Sequence, residues 1–181
     1  MMKLFVAALA LALATVPATA QQADPQNTIY LDTKDGRVTI RLKPDLAPKH
    51  AAQIKTLTKQ GFYDGIVFHR VIPGFMAQTG DPTGTGTGGS KLPNIPAEFS
   101  REPFKRGSVG MARSSEPNSA NSQFFICFEG CASLTGQYTL FGEVVSGMDV
   151  VDKVKKGDAA RNGQVTSPDK IVKMQLAADA K

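Results

Sequence analysis

Phe68-His69-Arg70-Val71-Ile72-Pro73-Gly74-Phe75-Met76-Ala77-Gln78-Thr79-Gly80-Asp81 contains parts of two short apolar runs, residues 66–71 and 75–78, on either side of the turn-rich Pro73-Gly74. Short runs bounded by turn residues read as strands. The same pattern recurs at residues 107–112, 123–128, 138–145 and 171–176. Upstream, Thr28-Ile29-Tyr30-Leu31-Asp32 leads through Lys34-Asp35-Gly36 into the alternating Arg37-Val38-Thr39-Ile40-Arg41-Leu42. Asp-Gly between two such runs predicts a tight hairpin with one wet face and one buried face. Residues 44–61 predict a helix starting near Ala47 or Pro48. Ala47, Ala51, Ile54 and Leu57 fall on its inner face, Lys49, Lys55 and Lys59 point outward, and Gly61 supplies the stop. A shorter helix is expected after Ser146-Gly147-Met148-Asp149, read as a Ser-x-x-Asp cap, and is expected to end at Gly157. Many short strands, two helices and no regular βαβ alternation argue for a mainly antiparallel closed sheet.

The composition is that of an ordinary globular protein. The 181 residues are 41% hydrophobic and 20% charged, with two Cys and no Trp, which excludes collagen-like and disulfide-packed miniature classes. Lys3, the apolar run 4–14 and the ending Ala18-Thr19-Ala20 have the form of a secretory leader cleaved after Ala20. The run is shorter than the ~18–20 apolar residues that span a bilayer. The expected mature chain, residues 21–181, is one domain with 20 basic and 16 acidic side chains, a net charge of +4. It is placed in the periplasm or outside the cell, with no membrane span. In that setting Cys127 and Cys131 are either a local disulfide or two free thiols.

Most chemical motifs are absent. Gly84-Thr85-Gly86-Thr87-Gly88-Gly89 matches G-x-G-x-x-G, but Pro93 and Pro96 follow where a dinucleotide site needs a helix, so a flexible surface loop is expected. His50 reads as a surface residue among lysines, and His69 as a hydrogen-bonded structural one. Of the adjacent Phe124 and Phe125, which face opposite ways in a strand, one is expected to be core. No nucleophile elbow, carboxylate pair or metal-ligand cluster comes forward, and no metal or cofactor is expected. The modest charge gives no support to nucleic-acid binding.

Residues 68–81, together with Gly110-Met111-Ala112-Arg113, Asn121-Ser122-Gln123-Phe124-Phe125-Ile126 and Tyr138-Thr139-Leu140-Phe141-Gly142-Glu143-Val144, resemble the signatures of the cyclophilins. These are the cyclosporin-binding peptidyl-prolyl cis–trans isomerases, and the likeness runs in order from about residue 28 to 177, nearest to the exported bacterial branch. The resemblance implies a closed eight-stranded antiparallel β-barrel capped by two α-helices. It further implies a reaction without nucleophile or cofactor on proline-containing polypeptides, performed by a monomer. By resemblance, Arg70 hydrogen-bonds the twisted amide. Phe75, Met76, Phe125 and Leu134 seat the proline ring, Gln78 contacts the substrate backbone, and Gln123 holds the surroundings of Arg70. Ala112 and Arg113 border the residues before the proline, their backbone pairing with the peptide. Tyr138 stands where eukaryotic-type members carry His, Arg113 where they carry Asn, and Ser133 where many carry the rim Trp. The missing Trp implies weak cyclosporin binding. A non-catalytic proline-binding module or chaperone would use the same groove but has no need of the guanidinium.

Overall fold

A computed structural model describes residues 24–181, and the leader reading of residues 1–20 lies outside them. Eight strands form one antiparallel sheet: β1 Thr28–Thr33, β2 Gly36–Leu42, β3 Arg70–Ile72, β4 Met76–Thr79, β5 Ser108–Met111, β6 Phe124–Cys127, β7 Leu140–Ser146 and β8 Lys173–Leu176. Their spatial order is β3-β4-β6-β5-β7-β2-β1-β8. The β1–β2 hairpin turns on Lys34-Asp35, and Gly36, at φ +133°, pairs with Thr33 at the start of β2. Val38, Ile40 and Leu42 point into the core as the alternation requires.

The sheet curls but does not close as a ladder, which corrects the expectation of a closed barrel. Its edges, β3 and β8, do not pair with each other. The seam is held instead by the isolated bridges Val67↔Lys170 and Arg70↔Gln164 and by single hydrogen bonds such as Phe68 N–H to Asp169 O and Val71 N–H to Gly163 O. A regular ladder is interrupted there because Asn162, Gly163 and Ser167 all have positive φ, and Pro168 has no N–H to donate. The irregularity positions the site, because it brings residues 162–164 beside Arg70.

Helix α1, Pro48–Lys59, packs on β7 and β8, and α2, Met148–Lys153, packs on β2. The inner face of α1 carries Ala51, Ile54 and Leu57 as expected. Its N-terminus has no side-chain cap of its own. Glu98 supplies one from a distant loop, accepting from the Lys49 and His50 N–H groups (both 3.1 Å) and from the His50 ring (2.6 Å). His50 is therefore fully buried, not a surface residue. The Ser146 cap is also corrected. Ser146 ends β7, and α2 starts from Gly147 with no side-chain cap. Gly147 sits at φ +90°, and a Cβ there would lie 2.3 Å from Arg37 O.

The sheet buries side chains on both faces. The inner face, with Phe124 and Ile126, joins the main core, whereas Phe125 and Cys127 point outward into a second cluster with Met76, Phe104 and Leu140. Both Phe124 and Phe125 are thus buried, because the outer face of β4, β5 and β6 is covered by loops. Cys127 and Cys131 form a disulfide. It anchors a single 3-10 turn, Ala132–Leu134, over this outer cluster.

Candidate active site

Strand register builds the site. Arg70 is opposite Gln78, Gln78 opposite Phe125, and Phe125 opposite Gly110, so one row of residues crosses β3, β4, β6 and β5. The polar half of this row is a hydrogen-bonded relay. Arg70 donates Nη1 to Gln78 Oε1 (3.0 Å), and Gln78 Nε2 donates to Gln123 Oε1 (2.9 Å). Gln123 Nε2 then donates to the carbonyls of Gly86 and Gly88. From the seam, Asn162 accepts twice from Arg70, through its backbone O from Nε (3.0 Å) and through Oδ1 from Nη2 (2.9 Å). A guanidinium has five N–H groups, so these three bonds leave two free to meet a substrate. Burial pushes the Arg70 pKa down. The ordinary value is so high that the group stays charged at neutral pH.

The apolar half is the outer cluster. Met76 and Phe125 are buried, while Phe75, Leu134 and Tyr138 are half-exposed along its edge. Phe125 stacks on Phe104 at 5.8 Å and meets the edge of Tyr138 at 5.9 Å. Gly110 makes room for this packing. A Cβ there would lie 2.4 Å from Phe125 Cζ and 2.7 Å from Phe104 Cε1.

Together these residues line a groove of about 620 Å³ that contains Arg70, Phe75, Met76, Gln78, Ala112, Arg113, Phe125, Leu134 and Tyr138. Gln123 does not line it. It lies in an adjoining hollow of about 590 Å³ that shares Gln78, Ala112 and Arg113. The Ala112 N–H is already donated to Gln123 O (3.0 Å), so this donor is committed to the sheet edge. Arg113 lays its guanidinium over the Tyr138 ring, 4.5 Å from the centroid.

Three features of the site escape a reading of the sequence. Asn162 lies in a segment outside every strand and helix expected from the sequence, yet it holds Arg70. The glycine-rich loop is no dinucleotide site, but neither is it loose. Buried Asp81 accepts from the Thr83 N–H (2.7 Å), the Thr83 hydroxyl (2.8 Å) and the Gly86 N–H (2.6 Å). Burial alone would raise the Asp81 pKa, but those bonds and one from the Gly88 N–H hold it at about 2. Asp81 is the last residue of the opening motif, and that position is the one signal that could have pointed to it. His69 is buried in the groove wall, but neither ring nitrogen has a hydrogen-bond partner, which corrects the hydrogen bonding expected of it. Burial pushes its pKa down, with the charge of Asp81 opposing.

No helix among the described residues is long and apolar enough to cross a membrane. No group of three or more His, Cys, Asp or Glu among them could hold a metal ion.

Residues 28–176 match the family model described as cyclophilin-type peptidyl-prolyl cis–trans isomerase. A Brucella suis protein named "Probable peptidyl-prolyl cis-trans isomerase" is 60% identical over 174 residues, covering 90% of this chain and 89% of that protein. A Helicobacter pylori peptidyl-prolyl cis-trans isomerase is 43% identical over 132 residues, covering 71% of this chain and 80% of that protein. Among solved structures, the cyclophilin AquaCyp293 of Hirschia baltica aligns with a TM-score of 0.78 at 28% identity, over 88% of this chain and 77% of its own. A Cryptosporidium parvum cyclophilin-type isomerase, crystallised in the presence of the dipeptide Ala-Pro, aligns with a TM-score of 0.74 at 29% identity, over 82% and 98%.

Proposed function

The chain belongs to the cyclophilin-type peptidyl-prolyl cis–trans isomerases and is an enzyme of that class, and on that premise we propose how its groove turns the X–Pro bond and on which polypeptides. Rotation about the bond crosses a barrier of ~18–20 kcal/mol because twisting breaks amide resonance. At 90° the prolyl nitrogen regains a lone pair and the carbonyl loses polarity. A group that hydrogen-bonds the twisted amide and an apolar wall that disfavours the planar, polar form both lower the barrier. Bringing ~10⁻² s⁻¹ to ~10² s⁻¹ requires only about 5–6 kcal/mol. No bond breaks, so no nucleophile, base or cofactor is needed.

In this reading Arg70 is the catalytic residue. Its two unassigned N–H groups meet the twisted amide while the proline ring rests on Phe75, Met76, Phe125 and Leu134, with Tyr138 as the wall. The observation that carries the proposal is the fixed guanidinium. Three hydrogen bonds to Asn162 and Gln78 orient it before substrate arrives, on the same sheet face as the apolar floor. A donor already oriented costs no reorganisation during the twist. Gln78 is both the nearest link of the relay and a contact for the substrate backbone, and Gln123 holds it from behind.

The substrates we assign are exported or unfolded polypeptides, met by a monomer in the periplasm or outside the cell. The leader-like residues 1–20 support this, as does the Cys127–Cys131 disulfide, a bond that persists in oxidising compartments. The test follows a disulfide-intact protein whose refolding is limited by a slow proline phase, while the native enzyme is titrated in. The phase is expected to quicken in proportion to enzyme. The enzyme recovered from periplasmic extract is expected to begin at Gln21. An unaccelerated phase, or enzyme found only in the cytoplasmic fraction, would overturn the assignment.

A further inference from the structure

Two of the three arginines that line the groove have no carboxylate partner. Among the described residues, the groove and the adjoining hollow are lined by the cations Arg70, Arg113 and Arg161, and by no Asp or Glu. Elsewhere Arg37 pairs with Asp32, Arg41 with Glu143 and Arg106 with Asp152, while Arg101 is exposed to solvent and has no carboxylate partner. Arg161 shares its charge with Asp158. Arg70 donates only to the neutral acceptors Gln78 and Asn162. Arg113 also lacks a carboxylate. Its Nη1 and Nη2 donate to the carbonyls of Ser114 and Gln137 (2.9 Å each), and its Nε is buried without a partner. Glu116 accepts from the Asn118 N–H, Glu98 is taken by His50 and the start of α1, and Asp81 by its loop.

Arg113 also occupies a deciding position. It lines both hollows and follows Ala112, which the isomerase reading places beside the residues before the proline. Its guanidinium is held flat by the Tyr138 ring and by two carbonyls, so its charge is fixed at the boundary between the hollows. A half-desolvated cation of this kind attracts a substrate carboxylate and repels a substrate ammonium.

We propose that the groove selects X–Pro segments bearing an acidic side chain on the amino-terminal side of the proline, with Arg113 as the specificity-determining residue. The inference rests on the isomerase reading above. It is tested with peptides that differ only by Glu, Gln or Lys at each of the two positions before the proline, with cis–trans exchange followed by NMR. With native enzyme at low ionic strength, kcat/KM is expected to fall in the order Glu, Gln, Lys. At the more sensitive position the Glu-to-Lys ratio is expected to be about fivefold, the scale of a partly exposed charge pair. Added salt is expected to shrink that ratio. Arg113→Gln is expected to bring it towards one. Arg113→Lys, which keeps the charge but loses the flat stack on Tyr138, is expected to retain it. Comparing peptides within each variant separates charge selection from any general loss of activity. Equal rates for all three peptides with native enzyme, or a ratio that survives Arg113→Gln, would overturn the proposal. If no peptide is accelerated, the isomerase reading fails and takes the proposal with it.

Discussion

Asn162→Gly isolates one tether of the guanidinium. Asn162 has φ +53°, a conformation glycine adopts freely, so the substitution removes a side chain without straining the backbone. What disappears is the 2.9 Å bond from Arg70 Nη2 to Oδ1. The 3.0 Å bond from Nε to the backbone carbonyl stays, as does the bond to Gln78. A charge-assisted hydrogen bond is worth ~1.5–3 kcal/mol when buried. Asn162 is exposed, so about 1 kcal/mol of orientation is the reasonable share, equivalent to about fivefold in rate. The proline floor is untouched, and the loss is therefore expected in kcat with KM nearly constant, measured by exchange NMR on a short X–Pro peptide. Asn162→Ala is the companion variant. It loses the same bond and also forces alanine into left-handed backbone, adding about 1 kcal/mol of destabilisation. It should match the glycine variant in kcat and melt at lower temperature. A glycine variant with native kcat would refute the idea that Asn162 orients Arg70 for catalysis.

Other perturbations follow from the same geometry. Because the Asp81 pKa in the folded state, about 2, lies below that of an unfolded aspartate, its stabilisation is complete above about pH 4 and is lost as pH falls through 2. Asp81→Asn is expected to cost about 2 kcal/mol at neutral pH and to flatten that acid limb, as read by denaturant unfolding across pH. Gly110→Ala would put a methyl within 2.4 Å of Phe125 Cζ, so this variant is expected to lose about 1–3 kcal/mol of stability and to raise KM as the floor shifts. By the resemblance, Ser133 stands where many cyclophilins carry a rim Trp, so cyclosporin is expected to inhibit poorly. Ser133→Trp should tighten inhibition, and nanomolar inhibition of the native enzyme would contradict the expectation.

Local chemistry made much of the fold legible. The alternation in residues 37–42, the helical spacing of Ala51, Ile54 and Leu57, and the stop at Gly61 each depend on neighbours a few residues away. The groove floor was legible for a different reason, because Arg70, Gln78 and Phe125 fall in motifs that resemble a known family's. What escaped depends on long-range contacts. Glu98 caps α1 from 48 residues beyond His50, which turns an apparently exposed histidine into a buried one. Asn162 reaches Arg70 across 92 residues, through a seam whose irregular backbone no strand pattern announces. Whether the sheet closed depended on that same seam. The burial of both Phe124 and Phe125 was not legible, because the covering of the outer face by Phe104 and the turn at Ala132–Leu134 is a tertiary event.

A guanidinium fixed on the outer face of the sheet is proposed to stabilise the twisted amide. That role of Arg70 is measured by cis–trans exchange in one X–Pro peptide with native enzyme and with Arg70→Ala, alongside peptide affinity for both. Loss of ~1.5–3 kcal/mol from the transition state predicts a kcat lower by about 10- to 150-fold, with peptide affinity changed far less. An Arg70→Ala enzyme that turns the bond as fast as the native one would contradict the account.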